Sequence, residues 1–266
     1  MFVAEIIFLL GEMKNFIRKI ENRIRTIITE PSPDFAKFSA AVSEEMKRDY
    51  RGGTADIFFA NDQGATHKWL HYFKIYDEVF EPYVGSKIRM LEIGVKGGGS
   101  LELWRKFLGA SATIFGIDID PACARHDGRY GFVRIGSQDD ATFLSRVVNE
   151  MGGIDVVLDD GSHIGRHQRA SFNVLFPLLS DGGLYLIEDM HTSYWLDCEG
   201  GLKRRGTAIE FLKDKIDQMH EHYRASDLNS ATTMLDIESI QFFDSIAVIR
   251  KRKQLPRYHV QSPASE

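Results

Sequence analysis

Cysteine is scarce: Cys123 and Cys198 are the only two, and neither stands in a CxxC or a Cys/His spacing. A disulfide framework and a thiolate zinc site are therefore excluded as organising principles, and the usage fits a reducing, cytoplasmic setting. Positive charge is also short. Lys+Arg number 33 against 38 Asp+Glu, a net charge of −5, which argues against general phosphate neutralisation and so against nucleic acid as a partner. Two local basic runs, Lys203-Arg204-Arg205 and Arg250-Lys251-Arg252-Lys253, read as the solvated ends of a helix and a strand. The apolar segment Phe2 to Leu10 is broken by Glu5 and followed, rather than preceded, by its positive residues. It is too short for a membrane span of about 20 residues and lacks the form of a secretory leader. There is no GxxxxGK[ST] phosphate loop and no GxGxxG turn, which disfavours an NTPase and an ordinary dinucleotide enzyme.

What is present is an ordinary globular composition, 43% hydrophobic and 27% charged over 266 residues, enough for one α/β domain of about 200 residues with an appendage. Three regions are expected: an N-terminal helical arm over 1–50, a main domain over 51–255 and a flexible tail over 256–266. Residues 2–29 read as an amphipathic helix carrying Ile6, Leu9, Leu10, Phe16, Ile17, Ile20, Ile24, Ile27 and Ile28 on its apolar side. That side needs a partner, a second subunit or the main domain rather than a lipid surface, and a homo-oligomer is expected. Pro31-Ser32-Pro33 ends the helix, and residues 34–86 read as short helices and loops.

From there the pattern is that of a doubly wound parallel sheet, with short β-branched runs alternating with helix-length amphipathic stretches. Strands are predicted over 87–95, 112–119, 131–135, 154–160 and 183–188, and helices near 100–109, 139–150, 165–179 and 206–224. The last two β runs, 239–243 and 246–251, are separated only by Asp244-Ser245, a connection that makes an antiparallel pair because a parallel one needs a long crossover. A mostly parallel sheet closed by an antiparallel hairpin is the class I methyltransferase arrangement, Rossmann-like yet distinct from NAD-binding domains.

The first strand runs into Leu91-Glu92-Ile93-Gly94-Val95-Lys96-Gly97-Gly98-Gly99-Ser100, whose glycines let backbone approach a ligand. The second ends Ile117-Asp118-Ile119-Asp120, placing an acid where it accepts ribose hydroxyls. The third ends Gly136-Ser137-Gln138-Asp139-Asp140. This resembles the adenine-contacting segment of catechol O-methyltransferases, with Gln138 at the adenine edge and Asp139 or Asp140 capping the next helix. The candidate cofactor residues are Glu92, Gly94, Ser100, Asp118, Ser137, Gln138 and Asp159, and together they favour S-adenosylmethionine (SAM) over NAD or ATP.

The fourth strand ends Asp159-Asp160-Gly161-Ser162-His163 and the fifth ends Glu188-Asp189-Met190-His191. Adjacent parallel strands bring these acids together, where each raises the pKa of the others unless a cation intervenes; Mg²⁺ or another divalent ion is the natural occupant. DDGSH followed by GGLYLIEDMHTSYW resembles the metal-dependent sugar O-methyltransferases of macrolide pathways. Thr66 to Tyr72, LEIGVKGGGSLELW and GIDID extend the likeness over about residues 60–195. The resemblance implies metal ligands at Asp160, Glu188 and Asp189, a general base at His163, and a vicinal diol of a glycoside as acceptor. A base at His163 also fits the catechol enzymes, which carry a catalytic Lys three residues after their metal Asp. Cephalosporin-hydroxylase-like proteins share the fold and a similar acidic set and are the competing reading, as are catechol-type acceptors. His67, His71 and His191 stay outside the catalytic set.

Overall fold

Strands buried on both faces read as continuous apolar runs, because helices cover a parallel sheet on both sides. The computed structural model describes residues 12–14, 16, 17, 19, 33–61, 65–223, 236–255 and 257–262 and shows this directly. Short helices α1 (Glu44–Asp49), α2 (Gly53–Phe59) and α3 (Tyr72–Phe80) precede the sheet. It is then built as β1 (Arg89–Ile93), α4 (Gly99–Leu108), β2 (Thr113–Asp118), β3 (Phe132–Ile135), α5 (Ala141–Met151), β4 (Ile154–Asp159), α6 (Gly165–Leu178) and β5 (Leu179–Ile187). Helix α7 (Ala208–Met219) and strands β6 (Ile237–Phe242) and β7 (Ala247–Lys251) follow. The strand order is β3-β2-β1-β4-β5-β7-β6, with β1 to β5 parallel and β7 antiparallel to both of its neighbours.

Side-chain alternation divides the core into two layers. Met90, Ile114, Val156, Leu158, Leu184 and Leu186 face Tyr72, Phe73, Tyr76, Phe80 and Trp104 from α3 and α4. Their neighbours Leu91, Ile93, Phe115, Ile117, Val157, Tyr185 and Ile187 face Phe143, Leu144, Phe172, Phe176 and Leu212 from α5, α6 and α7. The chain leaves β1 for β2 on one side and returns to β4 on the other, so the crevice between the carboxyl ends of β1 and β4 is the switch point where such sheets bind ligands.

Every predicted strand is present. The fifth starts earlier than expected, at Leu179, directly after α6. Asp181-Gly182-Gly183 sits where the β4–β5 register shifts between Ile154 and Val156, an irregularity that alternation does not reveal. The hairpin turns at Phe243–Ile246, where the Phe243 N–H donates to the Ile246 carbonyl at 2.8 Å. Asp140 caps α5, accepting from the Thr142 and Phe143 N–H groups. Of the helix expected over 2–29, residues 12–14, 16, 17 and 19 are helical and exposed, and the rest lies outside the described residues. No helix among the described residues is long and apolar enough to cross a membrane.

Candidate active site

Strand hydrogen bonding continues past β1 and β4 and sets the acids at one edge. The Asp160 N–H donates to the Ile93 carbonyl and the Glu188 N–H to the Asp159 carbonyl, each at 3.0 Å. Beyond those bonds the backbone turns sharply. His163 (φ 58°) and Asp189 (φ 54°) both adopt the left-handed region, a conformation that costs a non-glycine residue roughly 1–3 kcal/mol and gathers at functional sites. Thr192 ties the two together, its hydroxyl donating to the Asp189 carbonyl at 2.6 Å and the His163 carbonyl at 3.3 Å.

The result is a dense charge cluster. His163 Nε2 stands 3.6 Å from Asp189 and 4.0 Å from Asp160. One ligand atom from each of Asp160, His163 and Asp189 falls within 4.8 Å of the others. Lys68 donates to Asp160 at 2.6 Å and to Glu188 at 2.7 Å. Tyr76 donates to the other Glu188 oxygen at 2.7 Å and Tyr72 to Asp189 at 2.6 Å. Glu188 is almost wholly buried. Burial and the neighbouring Asp160 charge push its carboxyl up, while the Lys68 ammonium pulls it back. Burial opposes the charge of Lys68, yet Asp160 and Glu188 outweigh it and keep the ammonium protonated. Asp160, Glu188 and Asp189 thus crowd around one ammonium, and a divalent cation would offset their mutual repulsion. Two buried nitrogens beside these acids, His163 Nδ1 and His191 Nε2, make no hydrogen bond. Such atoms are costly to leave unpaired and point to an absent partner. The donor set, the crowding of carboxyl groups and the orphaned nitrogens all fit a small cation and a polar ligand.

Beside the acids lies a cleft of about 540 Å³, within the usual size range of ligand sites, lined by Gly94, Ser100, Asp118, Asp160, His163 and Asp189 among others. Gly94 (φ 95°) must be glycine, because a Cβ there would lie 2.2 Å from the Asp160 carbonyl. Burial alone would raise Asp118, but N–H groups of Lys96, Asp120 and Val95 hold its carboxyl below the ordinary value.

The other expected cofactor residues sit elsewhere. Glu92 is fully buried, accepting from Ser100 Oγ at 2.9 Å and Trp104 Nε1 at 3.1 Å. Its carboxyl is pushed up to about 7, by burial above all. Gln138 bridges Asp159 and the Ser162 N–H, and buried Asp159 also accepts from Ser171 at 2.7 Å and Tyr185 at 3.2 Å. Ser137 bonds its neighbour Asp139. Of these four only Ser137 is partly exposed, and none lines the cleft. The sequence reading passed over Lys68, Tyr72 and Tyr76. Their four-residue spacing was a usable signal, but their partners stand 92 to 120 residues away.

Residues 91–190, the span that holds all three acids and most of the cleft lining, match the family described as a methyltransferase domain. The chain carries a methyltransferase domain. It is 37% identical over 196 residues to mycinamicin VI 2''-O-methyltransferase of Micromonospora griseorubida, covering 69% of this chain and 49% of that protein. It is 38% identical over 204 residues to the 8-demethyl-8-(2-methoxy-alpha-L-rhamnosyl)-tetracenomycin-C 3'-O-methyltransferase of Streptomyces olivaceus, covering 72% and 52%. The solved structure of MycE methyltransferase in complex with Mg, SAH and mycinamycin VI superposes with a TM-score of 0.65 at 33% identity, covering 76% of this chain and 53% of that one. The chain therefore spans about half the length of the relatives it matches.

Proposed function

We propose that the methyltransferase domain moves the methyl group of SAM onto one hydroxyl of a vicinal diol, on a sugar of a glycoside or glycan, with a divalent ion such as Mg²⁺. The observation that carries this is the convergence of Asp160, His163 and Asp189 beside the Gly94 and Asp118 cleft. The sugar acceptors named in its relatives' activities support it. Bound there, the ion would lower the pKa of a hydroxyl that is otherwise too weak an acid and fix its orientation.

Asp160 and Asp189 present the oxygens a hard cation prefers, and Lys68 and Tyr72 hold those carboxylates in place. Glu188 completes the expected ligand set: each of its oxygens accepts one bond, from Tyr76 or Lys68, and keeps a second lone pair. His163 is a poorer partner for Mg²⁺ than oxygen. In this reading it takes the hydroxyl proton as the carbon–oxygen bond forms. The sulfonium becomes a neutral thioether as the methyl leaves. Gly94 lets the donor approach, and half-buried Asp118, whose oxygens already accept from the Val95, Lys96 and Asp120 N–H groups, keeps at most one lone pair for a ribose hydroxyl.

Self-association through residues 2–29 belongs to the same proposal, supported by the exposed helical residues Met13, Phe16 and Ile17. Light scattering that finds a monomer with and without the segment would remove it. The reaction itself is tested by incubating the protein with methyl-labelled SAM, Mg²⁺ and matched panels of glycosides and catechols. Label on a sugar hydroxyl is the expected result; label only on catechols, or on nothing, would overturn the reading.

A further inference from the structure

Lys203-Arg204-Arg205 reads in the sequence as the solvated end of a helix, and the structure shows which end: the three residues precede Thr207, the N-cap of α7. Cations suit a helix carboxyl terminus and oppose the dipole at an amino terminus. The first turn of α6 lies against them. A Cβ on Gly165 would fall 2.4 Å from the Gly206 carbonyl oxygen, and one on Gly206 would fall 3.3 Å from an Arg169 Nη. Arg166 and Arg169 thus join Lys203, Arg204 and Arg205 where two helix amino ends meet. Neither 161–171 nor 200–207 contains an acid. Glu199 pairs with Arg166, and Glu210, the acid in the first turn of α7, pairs with Lys213. The side chains of Arg169, Lys203 and Arg205 form no hydrogen bond or ion pair among the described residues. Gln168, in the same turn of α6, is buried and its Nε2 finds no acceptor. The cluster stands on the catalytic edge. Because α6 follows parallel strand β4, its amino end lies with the acids, and Arg166 is three residues past His163. The Gly201 N–H donates at 2.9 Å to the carbonyl of Ser193, next to the Thr192 that ties His163 to Asp189.

Resting on the methyl-transfer reading, we propose that this cluster binds a phosphate or diphosphate group carried by the sugar that is methylated. Five cations against one paired acid repel one another and gain by an anion, on a chain whose net charge is otherwise −5. The charge count selects the ligand. A single carboxylate is matched by one guanidinium, whereas three uncommitted cations, two of them arginines, suit the several oxygens of a phosphate ester. The sugar hydroxyls then lie at Asp160 and Asp189 while the phosphate rests beyond His163 on α6 and the loop before α7. Where the phosphate belongs to a nucleoside diphosphate sugar, methylation precedes attachment of the sugar, and a glycosyl transfer consumes the product.

The experiment compares methyl α-L-rhamnoside, L-rhamnose 1-phosphate and thymidine diphosphate L-rhamnose by calorimetry on the full chain saturated with S-adenosylhomocysteine. A chelator is present, so that no cation bridges phosphate to the acids. Both phosphorylated sugars should bind at least tenfold more tightly than the methyl glycoside, and added salt should erase the difference because the cations are exposed. A further gain for the thymidine diphosphate sugar marks a nucleoside diphosphate sugar as the source; equal affinities of the two mark a phosphate ester of a free sugar or glycan. In Arg169→Gln, and in the double variant Lys203→Ala with Arg205→Ala on the exposed loop, the preference should fall to near one. The melting temperature of the double variant should hold or rise, since uncompensated cations are removed. Equal affinities for phosphorylated and neutral sugar in the native protein, or a preference that survives both variants, would overturn the proposal. Turnover with SAM and Mg²⁺ separates the two readings. Phosphate binding that depends on the cluster but brings no methylation leaves the cluster standing and removes the transfer reaction, whereas methylation without a phosphate preference does the reverse.

Discussion

The two edges of the parallel sheet use the same residue types to opposite ends. At the amino edge, Asp155 accepts from the backbone N–H and Nε of Arg89 at 2.9 Å, from its Nη2 at 2.8 Å and from Ser180 Oγ at 2.6 Å. Burial alone would raise that carboxyl, but these donors hold it below its ordinary value. At the carboxyl edge, Asp160, Glu188 and Asp189 crowd together, two loop residues are left-handed, and buried imidazole nitrogens lack partners. One strand, β4, contributes to both edges. The first arrangement is complete in itself and lowers the free energy of the fold. The second is incomplete and gains by binding something, which is the usual trade between stability and function.

Three experiments can break or sharpen that contrast. The largest effect is expected at the carboxyl edge: Asp160→Asn or Asp189→Asn should cut metal affinity and lower turnover by about 10³-fold or more. Asp189→Asn should not lower the melting temperature, because an amide oxygen can still accept from Tyr72, whereas Asp160→Asn removes a counter-charge of buried Lys68 and should lower it. Calorimetric metal titration and a thermal melt on the same variants check this, and a large loss of stability in Asp189→Asn would deny the contrast. Next, His163→Ala should leave metal and SAM binding nearly intact and slow turnover by about 10²–10⁴-fold, without rescue by excess Mg²⁺. Lost metal affinity would instead make His163 a ligand.

The smallest effect belongs to the amino edge, where Asp155→Asn should cost about 1–3 kcal/mol of stability at pH 7 and leave turnover unchanged. The sign follows from the depressed carboxyl. Its contribution is fully present above the ordinary carboxylate pKa of ~3.9 and is lost as pH falls through the lower folded value. Denaturant melts of native and variant protein should therefore converge in acid, and a constant gap down to low pH would contradict the assignment.

The strands and the acids at their ends were legible in the sequence because burial on both faces and strand termination are local properties. That two pairs of acids converge needs only the inference that neighbouring strands end side by side; the choice of Asp160 and Asp189 among them came from the resemblance. Glu92 and Asp159 are candidates for the cofactor by their position, and Gln138 by the resemblance of its segment to the catechol enzymes. Alternation puts Glu92 on the face of Met90, toward Trp104, and the inward turn of Gln138 depends on the β4 loop that it bonds. The four-residue spacing of Lys68, Tyr72 and Tyr76 is visible in the sequence, but what they bond is not, because only the folded chain brings them to the acids.

The central claim is that the carboxyl-edge acids work through a bound divalent ion. The most direct measurement is methyl transfer from SAM to a glycoside by exhaustively chelated protein, followed by titration with Mg²⁺. Turnover should vanish on chelation and return along a saturable curve that Asp160→Asn and Asp189→Asn displace to higher metal concentration. Full turnover in the chelated protein would contradict the account and leave the three acids a purely structural role.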